Sequence, residues 1–336
     1  YLVLALLFKL VGAKKVMRFF PPIVTGPIII LIGLNLSGTA VTNASTNWWL
    51  ALCAIAIIIV ANIWGKGMIK IIPILLGVIG SYIFAVIIDP SVRANVAQNV
   101  HDAEWLALPI HIEHTVIGLF MRDNLDGHLL LTSVVTIVPL SLATMVEHIG
   151  DVSAISSTCN RNYIENPGLH RTLMGDGLAT TLAALFGAPA NTTYGENTGV
   201  LALSRIYDPR VIRIAAVLAM LFSFSPKFAA IISSMPGGTI GGVSLVLYGM
   251  ISAVGVRNVV ENKVDFTNTR NVIIAALILV LAIGITYSGS IQIGVVSLSG
   301  LAVSSIVGIL LNAILPGKDY TFEQDDQGAT SVDFKV

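Results

Sequence analysis

The chain has 336 residues, a formal net charge of zero and a strongly apolar composition. Hydrophobic residues make up 55% of it, charged residues only 11%, and the mean hydropathy is +0.84, whereas a soluble domain carries about 25% charged residues. These values exclude a soluble globular domain and predict a polytopic membrane protein. The balanced charge provides no bulk field that would recruit nucleic acid.

The chain opens inside an apolar run, residues 1–10, that is too short to cross a bilayer, which needs about 20 residues. We interpret this run as the end of a span that begins upstream, and expect part of any binding site to lie upstream as well. Nine later apolar segments have spanning length. They are residues 19–40, 48–64, 68–88, 129–158, 172–187, 211–233, 239–260, 271–287 and 298–315.

One polar segment that contains glycine, residues 191–205, interrupts these apolar runs. Backbone that is not helical at membrane depth must be buried in protein or line a cavity, because hydrocarbon offers it no hydrogen-bond partner. Residues 191–194 are typical of a short extended piece, and Glu196 begins a half-length helix with Thr192 or Thr193 as candidate caps. The N-terminus of such a half-helix carries free backbone N–H groups, which can donate hydrogen bonds to a ligand in front of it. Interrupted spans of this kind indicate the substrate site of a secondary transporter.

Lysine and arginine are concentrated in alternate connections and in the tail, which the positive-inside rule assigns to the cytoplasm. This pattern requires the 191–205 segment to cross the membrane as well. The longest connection, residues 89–126, is then on the outer side and carries His101, His111 and His114. Their spacing matches no tight zinc motif, so a solvated loop is favoured over a metal site. The two cysteines are far apart and indicate packing rather than a disulfide framework.

Ionisable residues inside the spans are costly in lipid and are candidates for function. Glu147 and Asp151 lie four residues apart and share one helix face. Because two carboxylates one turn apart repel in a low dielectric, at least one should keep its proton near neutral pH, which predicts a coupled proton-binding pair. A structural hydrogen bond to a broken helix is the alternative for both acids. His148 points about 100° away and is interpreted as a hydrogen-bonded neighbour.

Four further features of the spans have different predicted roles. Glu196 is expected in the first turn of the half-helix, where the helix dipole favours its ionised form. Asp176 is interpreted as a structural residue that holds the half-helix, with a functional role as the alternative. Lys227 lies inside an apolar segment and is expected to snorkel or to pair. The glycines of residues 237–242 are expected to permit close helix approach.

These motifs resemble the nucleobase-ascorbate transporter family, also called nucleobase-cation symporter-2. The segment Glu196-Asn197-Thr198-Gly199 through Ser204-Arg205 looks like the family signature, with serine in place of the usual threonine. Asn191-Thr192-Thr193-Tyr194-Gly195 and Glu147-His148-Ile149-Gly150 are similar to the uracil permease branch. The resemblance covers essentially the whole chain.

The resemblance implies an all-α fold of fourteen spans in two inverted repeats of seven. A core domain with half-helices and short strands would hold the substrate, and a gate domain would rock against it. This chain would lack the first three spans. Its parts would be the end of span 4 with a loop (1–16), gate spans 5–7 (17–88), the extracellular connection (89–126), core spans 8–11 (127–235), gate spans 12–14 (236–316) and the cytoplasmic tail (317–336).

The resemblance also implies a set of site residues by matched position. Glu147 and Glu196 would bind the substrate, with the backbone of Tyr194 and Gly195 contributing from the strand, and protonation would involve Glu147 and Asp151. This agrees with the chemistry of uracil, because a carboxylate accepts from ring N–H groups while backbone N–H groups donate to ring carbonyls. Four neighbours are expected to support the site: His148, Asp176, Asn197 and Thr193.

Two acids leave the substrate open between uracil and purines. Asp151 stands where uracil permeases carry histidine, and Asp176 stands where they carry asparagine; both resemble the purine branch. Glu196 favours uracil. We therefore expect a proton-coupled symporter that imports uracil across the cytoplasmic membrane by alternating access, with a xanthine or other purine symporter as the alternative.

The alternative from a different functional class is an anion exchanger of similar fold. Glu196 argues against this alternative, because a carboxylate repels an anion. We find no nucleophile and base pattern that indicates an enzyme. The expected partners are a nucleobase, the lipid bilayer and, from the resemblance, a second copy bound through the gate domain. No nucleic acid, no metal and no cofactor beyond the coupling proton are expected.

Overall fold

The computed structural model describes residues 1–12, 18–121, 126–159, 161–194, 197, 201, 206–293, 296–317, 320–322 and 332–334. Most of these residues are helical. The helices are α1 (Leu2–Val11), α2 (Pro22–Ser45), α3 (Trp48–Ile63), α4 (Met68–Ile71), α5 (Pro73–Ile88), α6 (Pro90–Asp102), α7 (Val116–Phe120), α8 (Gly127–Cys159), α9 (Leu169–Leu185), α10 (Pro209–Ser223), α11 (Pro226–Ser233), α12 (Gly237–Glu261), α13 (Thr269–Ser288) and α14 (Gly300–Ile314).

Short elements accompany these helices. A 3-10 turn (Ile112–His114) precedes α7, and a π-helical turn (Ile164–Gly168) precedes α9. Two antiparallel two-stranded sheets pair β1 (Ile291–Ile293) with β2 (Val296–Leu298), and β3 (Tyr320–Phe322) with β4 (Val332–Phe334). Gln292 lies opposite Ser297 in the first sheet, and Thr321 lies opposite Asp333 in the second.

Several helices are apolar enough to cross a membrane. Among the described residues, α2, α12 and α13 meet the requirement of length and hydropathy singly. Two bent pairs, α5 with α6 and α10 with α11, could each form one broken span, since their axes change direction by 110° and 94°. The remaining segments of the expected spans coincide with α3, α8, α9 and α14, and α3 and α14 are apolar helices of 16 and 15 residues. The chain is therefore a multi-pass membrane protein.

Prolines divide two of the apolar segments that have spanning length. Pro73 is the first residue of α5 rather than an interior residue of a span over 68–88, and Ile72 before it has a non-helical φ of −119°. Pro226 likewise begins α11 within the expected span 211–233. A proline has no N–H to donate and disfavours helical geometry in the preceding residue. The expected segments 68–88 and 211–233 are therefore each interrupted by a helix break, at Ile72 and between Ser223 and Pro226.

The connection of residues 89–126 is more ordered than the expected solvated loop. It contains the 13-residue helix α6, whose N-terminus is capped because the Asp89 carboxylate accepts from the Ser91 backbone N–H at 2.9 Å. Pro90 at the first helical position is pre-set for this geometry. The Asp-Pro pair was a helix-start signal that the sequence analysis overlooked.

The chain forms two compact units. The first contains Tyr1–Asn35, Ile112–Thr198 and Met250–Val336, and the second contains Leu36–His111 and Gly199–Gly249. The core of the first unit is built from buried side chains of α1, α2, α8, α9 and α13, and that of the second from buried residues of α3 and α12. The functional division into core and gate domains stays a prediction.

Glycines bring helices of the second unit into close contact. A Cβ atom built on Gly241 would overlap the backbone of Ala44 at the end of α2, and one on Gly242 would overlap the backbone of Ala51 in α3. The first turns of α12 therefore lie directly against α2 and α3. This confirms the close helix approach predicted for the glycines of residues 237–242.

Lys227, at the start of α11, is paired within the second unit. Its Nζ donates to the Val100 carbonyl at 2.6 Å and lies 5.1 Å from the centroid of the Trp105 ring. Val100 belongs to the last turn of α6, where carbonyls have no partner inside the helix and attract a cation. The predicted pairing of Lys227 is confirmed, and its partners are a carbonyl and an aromatic face.

Arg270, at the start of α13 in the first unit, is only 7% exposed. Its guanidinium donates to the side-chain and backbone oxygens of Asn312 at 2.8 and 3.0 Å, and to the Leu315 carbonyl at 3.3 Å. Asn312 in turn donates to the Arg18 carbonyl at 3.0 Å. This arginine, which the sequence analysis counted only as a loop charge, therefore joins α13 to the end of α14 and to the residues before α2.

We expect Arg270→Lys to lower the free energy of unfolding by about 2 kcal/mol, because an ammonium cannot reproduce the planar fork of donors. Thermal unfolding in detergent measures the change. Arg257→Lys is the matched control, since Arg257 is exposed and donates to exposed Glu261 at 2.6 Å. Equal unfolding midpoints for the two variants would show that the Arg270 contacts contribute nothing specific.

Candidate functional site

Helix α8 carries three buried ionisable side chains within little more than one turn. Glu147, His148 and Asp151 are 6%, 4% and 4% exposed. Burial of such groups is unfavourable unless hydrogen bonds or opposite charges stabilise them. Their joint burial in one short stretch identifies this part of α8 as the candidate site.

His148 occupies the centre of a polar network in the first unit. Its Nδ1 lies 3.1 Å from Asp176 Oδ2 and 2.8 Å from Thr193 Oγ1, and its Nε2 lies 3.0 Å from Thr172 Oγ1. Thr172 and Asp176 are one turn apart on α9 and so project from the same face. One imidazole ring therefore joins α8 to α9 and to the polar segment that follows α9.

Two adjacent threonines fix that polar segment. Thr192 Oγ1 donates to Glu147 Oε2 at 3.3 Å, and Thr193 Oγ1 donates to Asp176 Oδ2 at 3.2 Å. Residues 191–194 belong to neither a helix nor a strand in the described structure. These two hydroxyl groups hold the segment against the carboxylates of Glu147 and Asp176.

Tyr1, the residue before α1, packs beside the imidazole and against the middle of α9. The Tyr1 ring meets the His148 ring edge to face, with 5.9 Å between centroids and 84° between planes. A Cβ atom on Gly177 would lie 2.8 Å from Tyr1 Cβ, so only a glycine permits this approach of the chain to α9. The contact between the Tyr1 and His148 rings therefore depends on the small residue Gly177 in α9.

The structure brings together five of the residues predicted for the site: Glu147, His148, Asp151, Asp176 and Thr193. The side chain of Tyr194 is 61% exposed, and its carbonyl accepts from the backbone N–H of Asn197, also exposed, at 3.2 Å. Gly195 and Glu196, predicted as substrate contacts, lie outside the described residues.

Sequence reasoning missed two hydroxyl groups of the network. Thr172 was not considered at all, and Thr192 was considered only as a helix cap. The spacing of Thr172 and Asp176 by four residues was the available signal for the first, since it places both on one face of α9. Nothing local signals that Thr192 bonds to Glu147, 45 residues earlier.

This arrangement can accept hydrogen bonds from a ligand and can hold protons. The Asp176 carboxylate contacts the His148 ring, and two further buried carboxylates, those of Glu147 and Asp151, lie on the same helix as that ring. Among the described residues, no three His, Cys, Asp or Glu side chains are placed to hold a metal ion.

Comparison with known proteins gives a consistent result. A profile described as "Permease family" matches residues 1–291. The chain is 40% identical to the uracil permease of Bacillus caldolyticus, over 96% of this chain and 74% of that protein. It is 40% identical to the uracil permease of Bacillus subtilis (94% and 73% covered) and 33% identical to that of Escherichia coli K12 (94% and 71% covered).

Proposed function

Because the chain belongs to this permease family, the nucleobase-ascorbate transporters whose motifs it carries, we propose that it imports uracil together with a proton across the cytoplasmic membrane. The family is one of transporters, so the protein is a permease rather than an enzyme. The proposed mechanism is alternating access, in which a gate domain rocks against a core domain built from two inverted repeats. The basic loops and the tail are placed in the cytoplasm, and two copies pair through the gate domain.

The observation that carries the proposal is the buried Glu147 carboxylate held by Thr192 at 3.3 Å. Uracil is a neutral planar ring with N–H donors beside carbonyl acceptors. A buried carboxylate accepts strongly from such N–H groups because the low dielectric strengthens a charge-assisted hydrogen bond. The Tyr194–Glu196 stretch is proposed to donate backbone N–H groups to the ring carbonyls.

The proposed coupling device is the carboxylate pair on α8. Glu147 and Asp151 are both buried and one turn apart. A proton shared by this pair removes one of two repelling charges. The protonated pair is then the state of the site to which a neutral substrate binds. Uracil binding and proton binding would then strengthen each other by linkage.

A purine substrate is the second candidate, and the positions of Asp151 and Asp176 favour it. Asp151 is buried on α8, and Asp176 bonds both His148 and Thr193. The family resemblance implies histidine and asparagine at these two positions in uracil permeases. Additional carboxylates could accept from the extra ring N–H groups of a purine.

Competition for binding separates the two candidates. The full-length protein in detergent is titrated with labelled uracil in the presence of unlabelled uracil or unlabelled xanthine. We expect unlabelled uracil to displace the label and an equal concentration of xanthine to leave it bound. Displacement by xanthine at lower concentration than by uracil would overturn the uracil assignment in favour of a purine.

A further inference from the structure

We propose that helices α3 and α5 bind one anionic phospholipid, whose acyl chain lies in an apolar groove between them and whose phosphate is held by Lys66 and Lys70. This binding site lies outside the substrate site and does not depend on which substrate is transported. It is defined by the dimensions of the groove, by the residues that line it and by the charge at one of its ends.

The groove lies within the second unit and has a volume of about 680 Å³. It follows α3 from Ala56 to Trp64, the residue after that helix, over about 12 Å at 1.5 Å per residue. Ile79 and Gly80 of α5 also line it. Because the hydrocarbon layer of one leaflet is about 15 Å deep, an acyl chain beside these helices can follow the groove along its length.

Every residue that lines the groove is aliphatic, aromatic or glycine. Three of them are small, Ala56 and Ala61 on α3 and Gly80 on α5, so their side chains do not fill the space between the helices. A Cβ atom on Gly80 would lie 2.7 Å from Ile57 Cδ1, which shows that α3 and α5 approach closely at this level. An acyl chain in the groove therefore gains dispersion contacts with both helices at once.

Two lysines lie at the end of the groove next to the connection between α3 and α5. Lys66 follows the lining residue Gly65, Lys70 follows the lining residue Ile69, and both lysines are exposed. Among the described residues, neither lysine forms an ion pair or a side-chain hydrogen bond. The first acidic residue of the chain is Asp89, which follows the far end of α5, about 24 Å away along that helix. The local sequence thus offers these two charges no carboxylate.

Trp64 places this end of the groove at the level of the lipid headgroups. Its side chain lines the groove and is 67% exposed, and tryptophan is enriched where a membrane meets water. Long lysine side chains beside it can reach a phosphate while their stems stay against apolar surface. An anionic lipid matches the two positive charges, whereas a zwitterionic lipid carries a cation of its own and is attracted less.

The charge also disfavours a second copy of the chain as the occupant of the groove. In a two-fold symmetric contact the same surface of both copies meets. Lys66 and Lys70 of each copy would then approach the same lysines of the other copy, and like charges at an interface are unfavourable. The groove and its lysines together therefore select an anionic phospholipid.

Trp64 reports which lipid occupies the groove, because bromine on an acyl chain quenches a tryptophan that it touches. The full-length protein is placed in phosphatidylcholine bilayers that contain equal amounts of either brominated phosphatidylglycerol or brominated phosphatidylcholine. The contribution of Trp64 is the difference in fluorescence between the protein and its Trp64→Phe variant. We expect phosphatidylglycerol to be preferred about tenfold at low salt, and the preference to fall as salt rises.

Two results would overturn the proposal. Equal quenching of Trp64 by the two brominated lipids would show that the site does not select an anionic headgroup. Quenching by neither lipid would show that protein, and not lipid, covers the groove.

The phosphate contacts are tested by combining Lys66→Gln with Lys70→Gln, after which the two lipids should quench Trp64 equally. Arg210→Gln with Arg213→Gln is the matched control, because both arginines are exposed on α10 and the same number of charges is removed. The control should keep the preference for phosphatidylglycerol. Loss of the preference in both double variants would overturn the assignment of the phosphate to the two lysines.

The acyl-chain contact is tested at Ala56, which is exposed and lines the groove. Ala56→Phe places a ring in the groove and is expected to lower the preference for phosphatidylglycerol at least about threefold, since the chain loses its contacts with both helices. Ile59→Phe is the control, because Ile59 is exposed on the same helix but does not line the groove. An unchanged preference in Ala56→Phe would overturn the placement of the chain between α3 and α5.

Discussion

Replacing Glu147 by glutamine is expected to lower uracil uptake at least about 100-fold, which corresponds to roughly 2.7 kcal/mol and to the loss of charge-assisted hydrogen bonds. The side chain is buried on α8 and accepts from Thr192. Glutamine has the same shape but cannot bind the coupling proton, and its amide presents donors where the substrate also donates. Uptake by proteoliposomes with an inward proton gradient measures the effect.

Glu261→Gln is the matched control for this substitution. Glu261 lies at the end of α12, is about half exposed and pairs with exposed Arg257, so its contribution to stability is small. The control should transport at the wild-type rate and show that the substitution itself is tolerated. Proton-driven uptake that persists unchanged in Glu147→Gln would refute the role of Glu147.

Replacing Gly241 by valine is expected to prevent folding or to lower the free energy of unfolding by about 3 kcal/mol or more. The new Cβ would overlap the backbone nitrogen of Ala44, and backbone atoms of a packed helix cannot move aside as a flexible side chain can. The recovery of monodisperse protein and its thermal unfolding midpoint in detergent measure the effect.

Gly249→Val provides the control on the same helix. A Cβ atom on Gly249 would meet nothing within 4 Å, so only the helix propensity changes, by a few tenths of a kcal/mol. If Gly241→Val unfolded at the same temperature as Gly249→Val, the close contact between α12 and α2 would not exist.

The positions of the helices follow largely from the sequence, because a lipid environment selects long apolar runs with few charges. The breaks within these apolar runs are harder to predict from the sequence. Pro73 and Pro226 mark two of them, and both signals were present but were outweighed by continuous hydropathy. Lys227 follows Pro226 directly, and its partners, the Val100 carbonyl and the Trp105 ring, lie more than 100 residues earlier in the chain. Its neighbours in the sequence therefore give no sign of these contacts.

The candidate site could be predicted only where its residues are neighbours along one helix. Glu147 and Asp151 were found from their spacing and their cost in lipid. The partners of His148 are separated from it by 24, 28 and 45 residues, so the network depends on how α8, α9 and the following segment pack. No local pattern encodes that packing.

Arg270 illustrates the same limit for stability. The positive-inside rule uses only the charge of an arginine near the end of a span. It does not reveal whether the side chain faces water or reaches Asn312, 42 residues later, in a buried network. The charge of Arg270 thus helps to predict membrane topology, but its hydrogen bonds to Asn312 depend on tertiary packing.

The most direct test of the proposed function is uptake of labelled uracil by the full-length protein in proteoliposomes. Initial rates are compared with and without an inward proton gradient, and with excess unlabelled xanthine. We predict that uptake rises with the gradient and is unaffected by xanthine. Uptake that ignores the gradient, or that xanthine blocks, would contradict a proton-coupled uracil permease.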